Sequence, residues 1–325
     1  MKYVITGVDG KLGGRVAENV ITHFMTQGIA HKNLIFTCPI PERIPARTRE
    51  RWSQLGITLR TADYDNPQQL LAAFTGGQRL FMISGVLIGE KRVTQHKNVI
   101  NAAIKAGIDH ITYTSFIGAT DPAYAHVYVT PDHTETEIYL RNSGINYNVM
   151  RNNLYMENYL TTSVMLSLLS GNKWYTTAGE GKATYIAKDD SALVGSLLLL
   201  GKGEDKRAYN ITGSESVSQR DLCQLVSHVS GIPIEYCPVG KEEFYKYLDS
   251  IHIPRDTDQD FSLSPVPWCG NDMVTNEASI AEGLMDVKSD DFFTITGRQA
   301  LTAKDLVGTY SYIWEKGITH WKDIL

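Results

Sequence analysis

The sequence predicts an α/β protein: a Rossmann-type doubly wound parallel sheet followed by a smaller C-terminal α/β domain. Three observations point there. Over the first 150 residues, short apolar runs alternate with amphipathic stretches of helix length, the rhythm of a parallel sheet covered on both faces. The first run passes into the first helix through Gly7, Gly10 and Gly13, spaced three apart. Finally, 325 residues with 42% apolar and 21% charged side chains supply material for about two domains.

Element by element, Tyr3–Thr6 is apolar and β-branched and reads as the first strand, with a helix from Lys11 to about Gln27. Leu34–Thr37 is the second strand. A Pro/Arg-rich loop then leads to a helical patch at Arg47–Leu55 and an extended Ile57–Arg60. Pro67–Phe74 reads as a helix with proline in its first turn. Arg79–Ser84 is the fourth strand, and Glu90–Ala106 a helix closed by Gly107. Ile108–Thr114 follows as a strand, His133–Asn142 as a helix stopped by Ser143-Gly144, and Asn146–Met150 as the sixth strand.

Beyond Leu154 the alternation breaks, which sets an expected boundary between residues 1–153 and 154–325. A helix is expected near Glu157–Leu169, then extended chain over Trp174–Ile186 with Gly179 and Gly181 in a turn. Asp189 or Asp190 can N-cap a helix reaching Leu200. Ala208–Thr212 reads as a strand. Ser218–Val229 reads as a helix capped by Ser218, with Asp221 completing a near relative of the capping box. Ile234–Cys237 is a short strand, Lys241–Ile251 a helix, and 254–271, with Pro254, Pro265 and Pro267, a loop.

Composition excludes several function classes. Lys plus Arg number 31 against 36 Asp plus Glu, a net charge of −5, so no basic surplus awaits nucleic acid. The apolar run Leu193–Leu200 falls far short of the ~20 residues of a membrane span. The N-terminus meets Gly7 too soon to read as a signal peptide. Cys38, Cys223, Cys237 and Cys269 lie far apart with no Cys-x-x-Cys, as free thiols in a reducing cytoplasm would. A cytoplasmic monomer or homodimer acting on a small molecule is expected, with no nucleic-acid or membrane partner.

Thr6-Gly7-Val8-Asp9-Gly10-Lys11-Leu12-Gly13 follows a strand and opens a helix. In that context glycines let the backbone turn and approach a pyrophosphate, whose charge suits the helix N-terminus. Gly7, Val8, Gly10, Lys11, Leu12 and Gly13 are therefore candidate dinucleotide contacts. The second strand ends at Thr37-Cys38-Pro39 without the acid that commonly binds the ribose diol of NAD. Lys11 and Arg43 lie near instead, so NADP (NADPH) is favoured over NAD. Arg47, Arg49 and Arg51 can equally be the solvated start of a helix. Asp63-Tyr64, ending the third strand, is a candidate adenine contact or a helix cap near Pro67.

The glycine loop, Ala62–Asp65, Phe81–Gly85, Tyr113–Ser115, His133–Glu137 and Arg151–Tyr155 together resemble the NmrA-like atypical short-chain dehydrogenases. Within that family, the last two stretches look most like type 2 quinone oxidoreductases and triphenylmethane reductases. Gly181–Ala183, Tyr209–Gly213 and Ser289–Asp291 extend the likeness over roughly residues 1–305. The resemblance implies a Rossmann domain, a small C-terminal substrate domain and NAD(P)H-dependent reduction. Two departures stand out. Cys38-Pro39 occupies the place where related members carry an Arg. The chain also runs about 20 residues past the family's usual end, through an aromatic tail with Tyr310, Tyr312, Trp314 and Trp321.

Short-chain dehydrogenases usually carry Tyr-x-x-x-Lys, in which the cation lowers the phenol pKa. Here the spacing occurs only at Tyr312–Lys316, in the tail, and reads as coincidence. Candidates after the fifth strand are Ser115, Tyr124, Tyr128 and His133. His133 falls where the isoflavone-reductase branch has its catalytic Lys, and it can polarise a carbonyl or relay a proton near neutral pH. Ser84, Gly85, Thr114 and Ser115 are expected beside the nicotinamide, with Asn153 just after the sixth strand. Val86, Phe116, Tyr155, Tyr159 and Trp174 are expected around the substrate. No metal-ligand spacing and no Gly-x-Ser-x-Gly is present.

A missing Tyr-x-x-x-Lys favours electron-poor acceptors. Hydride addition to a quinone yields a stabilised phenolate, whereas a ketone yields an alkoxide that demands a proton. The expected function is an NAD(P)H-dependent oxidoreductase of a quinone-like or activated carbonyl acceptor. Two alternatives stand beside it: a dinucleotide-binding redox sensor without turnover, and a nucleotide-sugar epimerase-like enzyme.

Overall fold

The structure, a computed structural model, describes residues 1–324. Seven parallel strands form its central sheet: β1 (Tyr3–Thr6), β2 (Leu34–Cys38), β3 (Thr58–Thr61), β4 (Arg79–Met82), β5 (His110–Phe116), β6 (Asn146–Asn152) and β9 (Arg207–Ile211). Their order is β3-β2-β1-β4-β5-β6-β9. The chain winds outward from β1 in one direction and then restarts at β4 in the other. The loops after β1 and β4 therefore part, and the crevice of an open α/β sheet lies between them.

Helices cover both faces because the strands are buried on both. On one face α1 (Lys11–Thr26), α2 (Ala46–Gln54) and α7 (Lys188–Leu199) enclose a core with Phe24, Phe36, Trp52, Phe81 and Leu198. On the other, α3 (Pro67–Phe74), α4 (Glu90–Lys105) and α5 (Thr130–Asn142) enclose Phe74, Leu80, Val99, Ile111 and Leu140.

The remaining elements are α6 (Val164–Leu169), β7 (Lys173–Thr176), β8 (Lys182–Ala183), β10 (Val217–Ser218), α8 (Gln219–Ser230), β11 (Glu235–Pro238), α9 (Lys241–Ser250), α10 (Gly270–Ala281), α11 (Asp291–Thr296), α12 (Ala303–Val307) and α13 (Tyr312–Glu315). Most of them build a second core around Trp174, Tyr185, Phe244, Val274 and Ile313. The aromatic tail packs onto this core through Tyr310 and Ile313. Tyr312 stands there with it, in α13, and Lys316 is that helix's C-cap.

Several expectations need correction. The chain after 154 does not stay in a second domain: α7 returns to lie along α1, and β9 adds the seventh strand beside β6. The helix expected over Glu157–Leu169 begins as a π-helical turn at Asn158–Ser163 before α6. Neither Asp189 nor Asp190 caps α7, whose N-cap is Ala187. The Asp190 carboxylate is spent on Arg298 and on the Leu301 amide, partners more than 100 residues away. Ser218 and Asp221 do form a reciprocal capping box on α8. Among the described residues no helix is long and apolar enough to cross a membrane.

Candidate functional site

The loop between β1 and α1 is shaped for a close-approaching anion. Gly7 holds φ +63°, a left-handed conformation in which glycine is unstrained. At Gly13 a Cβ would sit 2.2 Å from the Gly7 carbonyl oxygen, so the helix is seated directly on the loop. The N-cap of α1 is Gly10, with no side-chain cap and no acidic residue in the first turn. Its first-turn N–H groups and the positive end of its dipole are left for a phosphate. A cleft of about 500 Å³ beside it is lined by Val8, Gly10, Lys11, Arg15 and Arg43 among others. Thr37, at the end of β2, is buried with its hydroxyl unpartnered, and its carbonyl accepts from the Val8 amide at 3.3 Å. Leu12 instead packs inward, into the core under α1. These features fit a dinucleotide.

Two contacts at this loop escaped the sequence reading. Lys188, in the first turn of α7, is half-buried. Its Nζ donates to Asn158 Oδ1 at 2.9 Å and lies 5.4 Å above the Tyr155 ring. Burial lowers its pKa to about 8, against the opposing pull of Glu157, and the nearby Lys11 and Arg15 lower it further. The tail also reaches the loop, where Lys11 Nζ donates to the Ile324 carbonyl at 3.2 Å.

At the ends of β4 and β5, the Ser84 amide donates to Thr114 Oγ1 at 2.8 Å and the Gly85 amide to His96 Nε2 at 2.9 Å. Thr136 Oγ1 gives its own proton to the Asp132 carbonyl at 2.7 Å, so it accepts from His96 Nδ1 at 2.8 Å. That fixes His96 as the neutral Nδ1–H tautomer. Burial, with Arg92 nearby, pushes its pKa down to about 3. Tyr113 Oη stands 3.4 Å from His96 Nδ1 and 2.8 Å from His133 Nδ1. With the Nδ1 proton of His96 directed at Tyr113 and Thr136, the tyrosine proton goes to His133 Nδ1. His133 then carries its own proton on Nε2, which has no hydrogen-bond partner among the described residues.

His133 was expected to titrate near neutral pH. Burial, aided by Arg92 and His96, instead holds its pKa well below the usual value. The imidazole is therefore a neutral donor, not an imidazolium acid. Arg92 was missed altogether. It is a buried guanidinium on α4, 3.7 Å from the Asp132 carboxylate, with its Nε unpartnered. The signal was present in the buried stripe Arg92, His96, Val99 and Ala103, where helical spacing puts two titratable side chains on a core-facing side.

Other expected site residues fall elsewhere. Ser115 Oγ donates to Glu137 Oε1 at 2.7 Å, and Glu137 is clasped by Arg151, so this hydroxyl belongs to a structural network. Tyr128 Oη donates to Asp256 and its amide to Thr275, stitching β5's following loop to the second core. Tyr124 donates to the Leu284 carbonyl. Asn153 is buried with its amide nitrogen on Thr184 Oγ1 and the Met285 carbonyl, leaving nothing for a cofactor. Trp174 is no pocket wall: it is 1% exposed and donates to Gln219 Oε1 at 2.9 Å inside the core.

The Tyr64 hydroxyl bridges Thr6 Oγ1 and the Ile83 carbonyl, bracing the glycine loop from below. Asp63 accepts from the Asp65 amide at 2.9 Å, while Asn66 caps α3. Phe116 stacks on His133, with ring centroids 6.2 Å apart. Tyr155 lies under Lys188, Tyr159 packs on Tyr185, and Val86 is exposed on the loop after β4.

A model of the NmrA-like family matches residues 2–282. Quinone oxidoreductase 2 of Escherichia coli (strain K12) is 32% identical over 256 residues, covering 77% of this chain and 82% of that protein. Among solved structures, an Escherichia coli NADPH-dependent quinone oxidoreductase complexed with NADPH superposes with a TM-score of 0.80 at 25% identity. It covers 96% of this chain and 99% of its own. The Citrobacter sp. triphenylmethane reductase complexed with NADP(H) shares the fold, with a TM-score of 0.79 at 24% identity over 95% and 100% of the two chains.

Proposed function

The chain belongs to the NmrA-like family, and from that premise we propose that it is an NAD(P)H-dependent oxidoreductase that reduces a quinone-like small-molecule acceptor, with NADPH preferred over NADH. The observations behind the reading are the uncapped helix N-terminus after β1 and, at the loop after β4, the Gly85 amide bonded to His96, from which Tyr113 leads on to His133. When bound, the nicotinamide supplies a hydride. Everything else falls to this chain's own groups.

The amides opening α1 hold the pyrophosphate, with Lys188 adding charge from the second half of the chain. Arg43 and Lys11 would hold the ribose 2′-phosphate. The Ser84–Thr114 and Gly85–His96 bonds hold the loop after β4 against β5 and α4, a fixed wall that would position the nicotinamide. His133 donates from Nε2 to the acceptor oxygen. Its tautomer is set by Tyr113, and Tyr113 in turn by His96. Arg92 adds positive charge in a site with little water, where it counts most.

This equipment stabilises an oxyanion but contains no strong acid, since His133 is held neutral. It suits a quinone, whose reduction yields a resonance-stabilised phenolate. A plain ketone, whose alkoxide needs a proton at once, is poorly served. Steady-state NADPH oxidation against 1,4-naphthoquinone, an azo dye and an aliphatic ketone tests the reading. Quinone turnover should exceed ketone turnover by ~10²-fold or more. Equal rates would refute the acceptor class. NADPH binding without turnover of any acceptor would favour the sensor alternative.

A further inference from the structure

Between the π-helical turn Asn158–Ser163 and the start of α10 lies a cavity of about 70 Å³. The wide turn brings Asn158, Tyr159 and Thr162 to one side of it, and α10 brings Asp272 and Asn276 to the other, with Trp268 beside them. A π-turn is less stable than the α-helix it interrupts and recurs at functional sites.

The polar atoms here are poorly matched to one another. Asn276 Nδ2 donates to Asp272 Oδ1 at 2.9 Å, which fixes the amide and leaves Asn276 Oδ1 buried without a donor. Trp268 Nε1 is buried without an acceptor. Trp268 and Asn276 both line the cavity, and a hydroxyl, which both accepts and donates, serves an orphaned acceptor and an orphaned donor at once. The volume admits a small substituent of that kind or a few waters. Asp272 lines the same space, so an anionic substituent would be repelled. Two of its lining residues are tied to charged groups of the proposed site. Asp272 lies within electrostatic reach of Arg92, and Asn158 accepts from Lys188.

We propose that the cavity bounded by Tyr159, Trp268, Asp272 and Asn276 is a subsite for a neutral hydroxyl-bearing substituent, so that the preferred acceptors are hydroxylated quinones. This rests on the quinone-reductase reading. Trp268 Nε1 donates to the hydroxyl oxygen, and the hydroxyl proton goes to Asn276 Oδ1.

The test is the ratio of kcat/KM for 2-hydroxymethyl-1,4-benzoquinone to that for 2-ethyl-1,4-benzoquinone, measured with NADPH. The two acceptors differ by a hydroxyl in place of a methyl. A ratio is insensitive to the fraction of folded enzyme, so it stays readable in a weakened variant. The intact protein should favour the hydroxymethyl compound by at least about tenfold. Trp268→Phe, which removes one N–H, and Asn276→Leu should each bring the ratio near unity. Equal kcat/KM in the intact protein overturns the subsite alone, as does a preference that survives both substitutions. No turnover of either quinone overturns the functional reading, and the subsite with it.

Discussion

Replacing Gly13 with alanine tests the glycine loop at its tightest point. The new Cβ would lie 2.2 Å from the Gly7 carbonyl oxygen, 2.7 Å from the Gly7 carbonyl carbon and 2.9 Å from the Thr6 carbonyl oxygen. Ordinary contact begins at 3.4 Å, and every neighbour is backbone, so no side chain can swing aside. The helix N-terminus must back away from the loop by more than an ångström. Amide-to-phosphate hydrogen bonds of about 2.9 Å do not survive such a shift. Losing one charge-assisted bond costs about 1.5–3 kcal/mol, or ~10- to 100-fold in Kd. Fluorescence titration with NADPH reads this directly. The neighbouring Gly14→Ala serves as comparison: its Cβ would meet only the Val8 carbonyl oxygen, at 3.2 Å. It should shift affinity far less, while gaining about 1 kcal/mol of helix propensity before that contact is charged. A Gly13→Ala protein with unchanged NADPH affinity would refute the placement of the dinucleotide on this loop.

Arg43→Ala should weaken NADPH by about tenfold or more and leave NADH alone, as read from the two Michaelis constants; equal effects on both would remove Arg43 from the 2′-phosphate. His133→Ala should lower ketone turnover by ~10²-fold and quinone turnover much less, and the intact protein's kcat/KM should show no histidine titration around neutral pH, because burial holds the His133 pKa well below its usual value. Burial raises the Glu277 pKa from 4.5 to about 7, despite bonds from the Thr177 amide and Thr176. A raised carboxyl adds stability that is present below the unfolded value and lost as pH climbs through the folded one. Glu277→Gln should therefore melt a few degrees above the parent at pH 8 and not at pH 4; a difference independent of pH would show that Glu277 titrates normally.

The parts of the site legible in the sequence are those set by neighbours along the chain. Gly7, Gly10 and Gly13 work through a single turn, and Ser218 and Asp221 through one helix start, so spacing alone exposes them. Trp174 shows the limit. An aromatic in an extended run reads the same as a pocket wall or as core, and its partner Gln219 lies 45 residues on. Asp190 resembles a cap until Arg298 and Leu301 fold back onto it. Ser115 lies near the end of β5, where a catalytic group is expected, yet Glu137 and Arg151 draw its hydroxyl out of the chemistry. The return of α7 and β9 to the first sheet has a faint trace in composition: Ala192, Val194, Leu198 and Leu199 are all buried on a helix with little one-sidedness. Arg92 and His96 were readable as a polar interruption of an apolar stripe, but that pattern names no chemistry until Tyr113 and His133 are brought beside it.

The most direct measurement of the central claim is a single turnover. The protein, charged with one equivalent of NADPH, is mixed with excess 1,4-naphthoquinone without oxygen, and absorbance at 340 nm is followed with quinol formation. The account predicts that the absorbance is lost in one phase with one quinol formed per NADPH, and that Gly13→Ala slows this loss at subsaturating NADPH. NADPH that binds and remains unoxidised in the presence of quinone would contradict it.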